Sequence, residues 1–463
     1  MLEKYVADKI LAHFGFEPTR QQVDLINLLS VFITNREERS LFLLKGFAGT
    51  GKTTVIGALV KAFLEMEQMI VLSAPTGRAA RVLSLYAGIQ AHTIHKLIYR
   101  QSKPEIGGAF EIAYNKAKNT LFVVDEASML ADSGEKIFGS GNLLDDLIQF
   151  VYQGENCRLL LLGDTAQLPP VMCEESPALD VRSLETFGLT ITEYTLTQVV
   201  RQAKESGILQ NATRLRMLID NPQAVAFKEF NDVIRVDGMN FLECMENSYR
   251  EVGEDETIVI TRSNKRAGMY ANGIRGRILY REDVLSNGDL LMIVKNNYTV
   301  GLPYGLDFIA NGDVAELIRT RGARTIYGCS FREVSLHLVD YNMDIDALFL
   351  EDSLLSETPF DLQELNKRLY DAVMEDYAEI RNKRERYKKM RDNPYLNAIQ
   401  AKSAYAVTCH KAQGGQWKHV YIDMGLITAD KMDKSFVRWL YTSVTRATEK
   451  LYLINFPDTF FVK

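Results

Sequence analysis

The sequence SLFLLKGFAGTGKTTV, residues 40–55, decides the fold class. Its apolar run at residues 41–44 predicts a buried strand of a parallel sheet, and a helix is predicted from Thr54 through Glu65. The loop between them matches GxxxxGK followed by Ser or Thr. Such a loop binds phosphates through backbone N–H groups, a lysine and a hydroxyl that ligates Mg²⁺. We therefore predict a nucleotide site formed by Gly46, Ala48, Gly49, Thr50, Gly51, Lys52, Thr53 and Thr54.

The composition is that of an ordinary globular protein. With 463 residues, the chain is long enough for about three or four domains. Hydrophobic residues make up 46% and charged residues 25%, and no apolar run is long enough to predict a membrane span. We expect no secretory signal, and five scattered cysteines without CxxC spacing are typical of a reducing cytoplasm and argue against zinc. The net charge of −6 neither indicates nor excludes nucleic-acid binding.

Three further apolar runs predict buried strands that end in polar residues. MIVLSA leads into Pro75 and Thr76, TLFVV ends at Asp125 and Glu126, and CRLLLLGD precedes Gln167. Adjacent carboxylates suit Mg²⁺ binding through water and the activation of an attacking water. The glutamine could sense the γ-phosphate, in a loop that two prolines stiffen. Because ligands bind beyond the carboxyl ends of parallel strands, we expect these residues on one working surface.

Two other residues and one stretch of sequence each have two interpretations. Gln22 could read the adenine edge with its amide, or lie on the surface. Arg201 could reach the γ-phosphate, or be solvated. The stretch 101–115 contains Gly107-Gly108 and predicts either an inserted hairpin with Phe110 at its apolar tip or a plain surface loop.

The order Gln22, GFAGTGKT, APTGRAA, DEAS and GDTAQLPP resembles the first motor domain of a superfamily 1 DNA helicase, most closely the RecD-like and Dda-like branch, superfamily 1B. The second half adds TIVIT before Asn264, AYAVTCHKAQGG, and WLYTSVTRAT with Arg446. The resemblance implies ATP and Mg²⁺ as cofactors, with Thr53 and Asp125 at the metal. It implies Gln22 and Gly415 as further nucleotide contacts, although Gln416 and Trp417 replace the acidic residue of many relatives. It implies a catalytic set of Lys52, Glu126, Gln167, Arg201 and Arg446.

The resemblance also implies an architecture. We expect an α/β fold with two RecA-like P-loop motor domains, each a parallel sheet flanked by helices. The expected domains are motor domain 1A (1–98 and 116–198), hairpin 1B (99–115), motor domain 2A (199–287 and 399–463) and an SH3-like accessory domain 2B with a helical insertion (288–398). The second half of the helical run 361–391 is basic, which predicts either a solvated helix or a brace against the DNA strand.

A short internal echo supports two related lobes. Residues 93–96 read TIHK and residues 408–411 read TCHK. In the family that the sequence resembles, both positions lie beside the single strand, where Thr and His donate to phosphates and Lys neutralises one. Phe110 is our candidate wedge for splitting the duplex. The full set of expected DNA contacts is Pro75, Thr76, Thr93, His95, Phe110, Asn264, Thr408, His410 and Lys411.

The function that we predict is ATP-driven translocation on single-stranded DNA, with unwinding of duplex DNA in repair, recombination or replication. The 5′-to-3′ direction follows from the resemblance alone. The expected partners are single-stranded DNA, junctions between single- and double-stranded DNA, and single-strand-binding or repair proteins. We expect a cytoplasmic monomer that does not bind a membrane.

Three alternatives remain open at this point. A GTPase switch would need an NKxD guanine reader, and residues 264–267, NKRA, lack the aspartate. The chain could be a translocase that does not unwind, or a regulatory subunit of a nuclease complex. It could also be a nucleic-acid-binding module with a degenerate ATPase, against which the intact Lys52, Asp125, Glu126 and Arg446 argue.

Overall fold

Three large sheets organise the computed structural model. Two are parallel and flanked by helices, and the third is antiparallel. These sheets confirm the predicted α/β class with two parallel-sheet lobes. The structure describes residues 1–35, 37–101, 110–131, 139–171, 173–200, 206–222, 225–306, 308–356, 358–427 and 432–461.

The first lobe contains the predicted phosphate-binding loop. Its elements are α1 (Leu2–Ala12), α2 (Arg20–Thr34), β1 (Ser40–Gly46), α3 (Lys52–Glu65), β2 (Met69–Ala74), α4 (Gly77–Ala87), β3 (Ala91–Thr93), α5 (Ile94–Ile98), β4 (Tyr99–Gln101), β5 (Phe110–Ile112), β6 (Thr120–Val124), α6 (Leu143–Gln153), β7 (Arg158–Gly163), α7 (Val181–Glu185) and β8 (Thr190–Leu196). The sheet order is β3-β2-β6-β7-β1-β8, and every pairing is parallel. Apolar cores on both of its faces explain why β1, β6 and β7 are almost continuously hydrophobic.

The second half of the chain forms a second lobe with an insertion. Its elements are α8 (Gly207–Met217), β9 (Val233–Val236), α9 (Phe241–Val252), β10 (Thr257–Thr261), α10 (Asn264–Arg277), β11 (Leu290–Ile293), β12 (Val314–Ile326), β13 (Cys329–Leu338), β14 (Met343–Leu350), α11 (Asp352–Leu355), α12 (Pro359–Asp376), α13 (Lys383–Arg391), β15 (Ala401–Ser403), β16 (Ala406–Thr408), α14 (Cys409–Ala412), β17 (Trp417–Asp423), α15 (Lys434–Val444) and β18 (Ala447–Ile454).

The second lobe and the insertion have separate sheets. The lobe has the parallel order β16-β10-β17-β18-β9. The insertion has the antiparallel order β14-β13-β12-β11-β15, with its own core. Because β15 ends at Ser403, this sheet extends past the boundary at residue 398 that the sequence suggested. We call residues 288–403 the accessory domain.

A two-stranded ribbon is present where the hairpin was predicted, because β4 and β5 pair antiparallel. The predicted turn at Gly107-Gly108 lies outside the described residues. The placement of Phe110 at an apolar tip is wrong. Its side chain is only 2% exposed and packs against Tyr298 at 5.0 Å and Phe308 at 5.9 Å, both from the accessory domain. A large apolar ring is more stable in this aromatic cluster than at a solvated tip, so in this conformation it is not placed to separate bases.

Among the described residues, no helix combines the length and the apolar character needed to cross a membrane.

Candidate nucleotide site and nucleic-acid surface

Two glycines shape the phosphate-binding loop between β1 and α3. Gly49 and Gly51 have φ angles of 74° and 82°, which residues with a Cβ rarely adopt. The ammonium of Lys52 lies on the loop, where its Nζ donates to the carbonyl oxygens of Gly46 at 2.5 Å and Phe47 at 3.2 Å. Within the described residues Lys52 has no carboxylate partner. Its charge is therefore available to phosphates.

Gln22 lies beneath this loop and is only 2% exposed, so it is not a surface glutamine. Its Oε1 accepts a hydrogen bond from Thr19 N at 2.8 Å, and its Nε2 donates to Thr50 O at 3.2 Å. A Cβ on Gly51 would lie 2.4 Å from that Nε2. The amide thus joins the start of α2 to the phosphate-binding loop, and its contact with adenine stays a prediction.

Two neighbouring carboxylates follow β6, at the carboxyl edge of the sheet. Asp125 Oδ1 accepts a hydrogen bond from Glu126 N at 2.8 Å. Burial, and then the charge of Glu126, raise the pKa of Asp125 to about 6. Glu126 has φ 52°, a left-handed conformation that is unusual for a residue with a side chain and is found more often at functional sites. A desolvated carboxylate and the Thr53 hydroxyl are hard oxygen donors, so the residues present fit a small divalent cation.

The second lobe contacts the phosphate-binding loop through Tyr441 of α15. The Tyr441 hydroxyl accepts a hydrogen bond from Ala48 N at 2.9 Å and donates one to Asp164 Oδ2 at 2.6 Å. Asp164 follows β7 and is 2% exposed, and burial raises its pKa. From α8, the Arg216 guanidinium lies 4.0 Å from the ring centroid of Phe47. The loop is therefore held from both lobes.

A second group of bonds joins the lobes next to Gln167. Leu168 N donates to Thr442 Oγ1 at 2.9 Å, and Gln413 Nε2 donates to Leu168 O at 2.7 Å. Gln167 itself is 7% exposed, and in the described part of the chain its Oε1 has no hydrogen-bond partner. A buried acceptor without a donor is rare in folded proteins. The side-chain oxygen of Gln167 is therefore available as an acceptor, in a segment that hydrogen bonds to the second lobe hold in place.

Arg446 brings a cation from the second lobe to the carboxylates of the first. Its Nη1 lies 3.6 Å from Glu126 Oε1, and the residue is 3% exposed. The same Nη1 donates to Gly415 O at 3.2 Å, and Nε donates to Thr442 O at 3.0 Å. Gly415 therefore contributes a carbonyl that orients Arg446. Arg201, the other predicted finger, lies outside the described residues.

Trp417 has a packing role. It is 3% exposed, and the Arg78 guanidinium of α4 lies 3.7 Å from its ring centroid. Arg78 Nη2 also donates to Gln416 O at 3.3 Å. Because the guanidinium of Arg78 covers one face of the Trp417 ring, that face cannot stack on a base. Trp417 therefore connects the two lobes.

The two echo segments occupy equivalent places in the lobes. Thr93 ends β3 and Thr408 ends β16, and each strand is the edge of its parallel sheet. Each threonine is also the N-cap residue of a short helix. Thr93 Oγ1 accepts from Lys96 N at 3.2 Å, whereas the Thr408 side chain caps nothing. The fold thus places one candidate segment on each lobe.

The first-lobe candidates face the other domains. His95 packs between Tyr99 at 5.7 Å and Phe308 of the accessory domain at 6.4 Å. Burial lowers the pKa of His95 to about 4, so the ring is neutral at pH 7 and can donate a hydrogen bond but brings no charge. Thr76 caps α4, with its Oγ1 accepting from Ala79 N at 3.2 Å, and the half-buried Pro75 precedes it.

Three second-lobe candidates line one cavity of about 420 Å³ between α10 and the accessory domain: Asn264, Thr408 and Lys411. Lys265 and Lys402 also line it, and none of the described residues that line it is a carboxylate. His410, in contrast, is exposed at the start of α14. The structure therefore brings three of the four second-lobe candidates together in a cation-rich groove.

Comparisons with known proteins agree with this geometry. Residues 32–237 match the family described as an AAA domain, and residues 403–454 match the UvrD-like helicase C-terminal domain. The chain is 25% identical to the ATP-dependent RecD2 DNA helicase of Deinococcus radiodurans, over 89% of this chain and 46% of that one. It is 29% identical to the ATP-dependent DNA helicase dda of Enterobacteria phage T4, over 35% of this chain and 34% of that one. The chain thus spans about half or less of these two relatives.

A relative of similar length also matches. The uncharacterized protein R530 of Acanthamoeba polyphaga mimivirus is 24% identical over 94% of this chain and 98% of its own. Along the chain, the AAA-domain match comes first and contains the phosphate-binding loop of the first lobe. The UvrD-like helicase C-terminal match comes second and lies in the second lobe. The two family matches and the RecD2 and Dda relatives together support an ATP-dependent DNA helicase of superfamily 1B, similar to RecD. The helicase therefore has its nucleotide-binding loop in the first lobe and its family-specific C-terminal segment in the second.

Several residues of the helicase site were not among the sequence candidates. Tyr441, Asp164, Gln413 and Arg78 all make contacts that involve both lobes. Asp164, in GDTAQ, directly follows an apolar run, and that position was a usable signal. The others could not be found in this way, because their partners are far away in sequence.

Proposed function

We propose that this helicase couples ATP hydrolysis to 5′-to-3′ movement along single-stranded DNA and thereby unwinds duplex DNA. The observation that carries the proposal is the 3.6 Å approach of Arg446 in the second lobe to Glu126 in the first. A site completed by two lobes is sensitive to the distance between them. Hydrolysis can therefore be linked to relative movement of the lobes.

Each residue of the proposed site has a distinct role. Lys52 binds the β- and γ-phosphates, and Glu126 orients and deprotonates the attacking water. Thr53 and Asp125 would hold Mg²⁺, which when bound neutralises phosphate charge. Arg446, with Arg201 as a second finger, stabilises the negative charge of the transition state. Arginine fingers contribute about 10³–10⁵ in rate at related sites.

The edge-strand segments supply the proposed contacts with the strand. Thr93 and His95 would donate to phosphates from the first lobe, and Thr408, His410 and Lys411 from the second. When nucleotide closes the cleft, one lobe's contacts would advance toward the other's, and they would return after release. Tyr441 supports this coupling, since it bonds Ala48 in the phosphate-binding loop across the cleft.

The remaining assignments are part of the same proposal. The β4–β5 ribbon corresponds to hairpin 1B, and the accessory domain to an SH3-like domain 2B. The substrates are single strands and junctions, in repair, recombination or replication, and the protein acts as a cytoplasmic monomer with single-strand-binding or repair proteins as partners. The 5′-to-3′ direction is supported by the family alone.

ATP hydrolysis with and without single-stranded DNA, together with unwinding of duplexes that bear a 5′ or a 3′ tail, tests the proposal. We expect strong stimulation by DNA and unwinding from the 5′ tail only, with both activities lost in Lys52→Ala. Stimulation without unwinding would indicate a translocase or a nuclease subunit. A preference for GTP, or hydrolysis that ignores nucleic acid, would contradict the proposal.

A further inference from the structure

Helix α13 is the most basic element described in this acidic protein. Its nine residues, KRERYKKMR, contain six Lys or Arg and one Glu, whereas the whole chain has a net charge of −6. Four of the six cations are exposed: Lys383, Arg384, Lys388 and Lys389. A concentrated positive charge on a protein of opposite sign points to a binding role.

These four cations have no ion-pair partner among the described residues. Arg391 pairs with its neighbour Asp392 at 3.0 Å. The Arg386 guanidinium donates to the carbonyls of Ala378 at 3.2 Å and Ile380 at 2.7 Å, so it fixes the start of the helix. The preceding α12 carries five Asp or Glu residues, yet among the described residues none of the four exposed cations of α13 forms an ion pair with it. The charges of these four residues are therefore not neutralised within the described part of the domain.

Folding alone does not explain this composition. Met390 is the single buried residue of α13, so the helix has almost no apolar face. Arg384 and Lys388 are four residues apart, and like charges at that spacing destabilise a helix. The helix is stabilised by its N-cap residue Asn382, whose Oδ1 accepts a hydrogen bond from Arg384 N at 3.0 Å. It is also stabilised by the bond from the Arg386 guanidinium to the carbonyl of Ile380. The exposed cations therefore contribute little to folding, and their charge is available to a ligand.

The shape of α13 indicates which ligand. It is a convex, exposed helix with one solvent-facing aromatic residue, Tyr387, which is 64% exposed. Single strands are bound in basic grooves with several stacking rings, and the groove that holds Asn264, Thr408 and Lys411 contains no residue of α13. A duplex keeps its bases inside and presents closely spaced phosphates to flat or convex surfaces.

We infer that α13 binds the phosphate backbone of double-stranded DNA, and so holds the duplex arm of a junction while the lobes hold the single strand. The inference rests on the proposed DNA function, but it concerns a surface that hydrolysis does not require. Each phosphate contact releases condensed counterions, so it contributes about 0.9 to the slope of log Kobs against log salt. Four contacts would contribute up to about 3.6.

The test replaces the four exposed cations by glutamine in Lys383→Gln/Arg384→Gln/Lys388→Gln/Lys389→Gln. The control variant Lys4→Gln/Lys61→Gln/Lys116→Gln/Arg182→Gln removes the same charge from exposed positions of the first lobe. Binding of blunt duplex, 5′-tailed duplex and single-stranded DNA is measured by fluorescence anisotropy between about 50 and 200 mM salt. Circular dichroism melting checks that each variant is folded.

We expect the α13 variant to lose at least tenfold in affinity for blunt duplex at the lowest salt. Its slope of log Kobs against log salt should be smaller by about 1.8–3.6, which is about 0.9 for each of two to four lost contacts. Its affinity for single-stranded DNA and its DNA-stimulated ATPase should stay within twofold, as should every property of the control. Unchanged binding of blunt duplex by the α13 variant would overturn the inference. The exposed cations of α13 would then be assigned to an acidic protein surface. An equal loss for single strands would also overturn it. If wild-type ATPase ignores DNA while the duplex effect is present, the proposed function fails and this inference stands.

Discussion

Removal of a single oxygen atom, in Tyr441→Phe, tests whether the two lobes form one site. The Tyr441 hydroxyl joins Ala48 N at 2.9 Å to Asp164 Oδ2 at 2.6 Å, and burial raises its pKa, so it stays a donor at physiological pH. The bond to a carboxylate contributes about 1.5–3 kcal/mol and the bond to a neutral amide about 0.5–1.5 kcal/mol. The arrangement of the two lobes in this structure should lose about 2–4.5 kcal/mol, which is about 30- to 2,000-fold in its equilibrium constant.

The assay is steady-state ATP hydrolysis with saturating single-stranded DNA. We expect kcat/KM for ATP to fall at least tenfold in Tyr441→Phe, because the lost bonds weaken the contact between the lobes that brings Arg446 within 3.6 Å of Glu126. Tyr421→Phe is the matched control, since the buried Tyr421 hydroxyl bonds Ser248 at 2.6 Å within the second lobe. It should lower thermal stability and leave kcat/KM within twofold. Wild-type kinetics in Tyr441→Phe, or equal losses in both variants, would refute the reasoning.

Two further predictions concern the loop and a buried histidine. Gly51→Ala should destabilise the protein by about 1–3 kcal/mol and abolish nucleotide binding, because φ is 82° and the new Cβ would lie 2.4 Å from Gln22 Nε2. Gly268→Ala, in α10 with nothing within 4 Å, should instead be neutral or stabilise by up to about 1 kcal/mol in a urea melt. The pKa of His95 is lowered to about 4, so its protonation opposes folding: its stabilising effect is complete above about pH 6.5 and is lost as pH falls toward 4. Allowing for partial exposure, the loss is about 2 kcal/mol, and His95→Gln should remove it from the pH profile of unfolding; an unchanged profile would contradict the pKa shift.

Local patterns predicted the phosphate-binding loop well. The apolar run before it is β1, and the helix after it begins at Lys52, two residues earlier than predicted. Both features depend on neighbouring residues: a strand buried on two faces must be apolar along its length, and the loop needs glycine where φ is positive. Three later apolar runs were predicted as strands for the same reason, and they are β2, β6 and β7.

Contacts between distant parts of the chain could not be predicted. The stretch around Phe110 has the sequence of an exposed hairpin, but Tyr298 and Phe308 of the accessory domain bury the Phe110 ring. Tyr441 and Ala48 are separated by 393 positions, so no local pattern joins them. Gln22 was predicted to contact the nucleotide, and the structure shows its amide bonded to the backbone of the phosphate-binding loop. Such roles follow from packing between elements, which periodicity does not encode.

The most direct test of the central claim is hydrolysis by Arg446→Ala. In the proposed mechanism the second lobe completes the nucleotide site through this side chain, which lies 3.6 Å from Glu126. We predict that the variant binds ATP within a few-fold of wild type, measured with a fluorescent analogue, while its DNA-stimulated kcat falls by about 10³ or more. A wild-type kcat in Arg446→Ala would contradict the claim, because hydrolysis would then be independent of the second lobe.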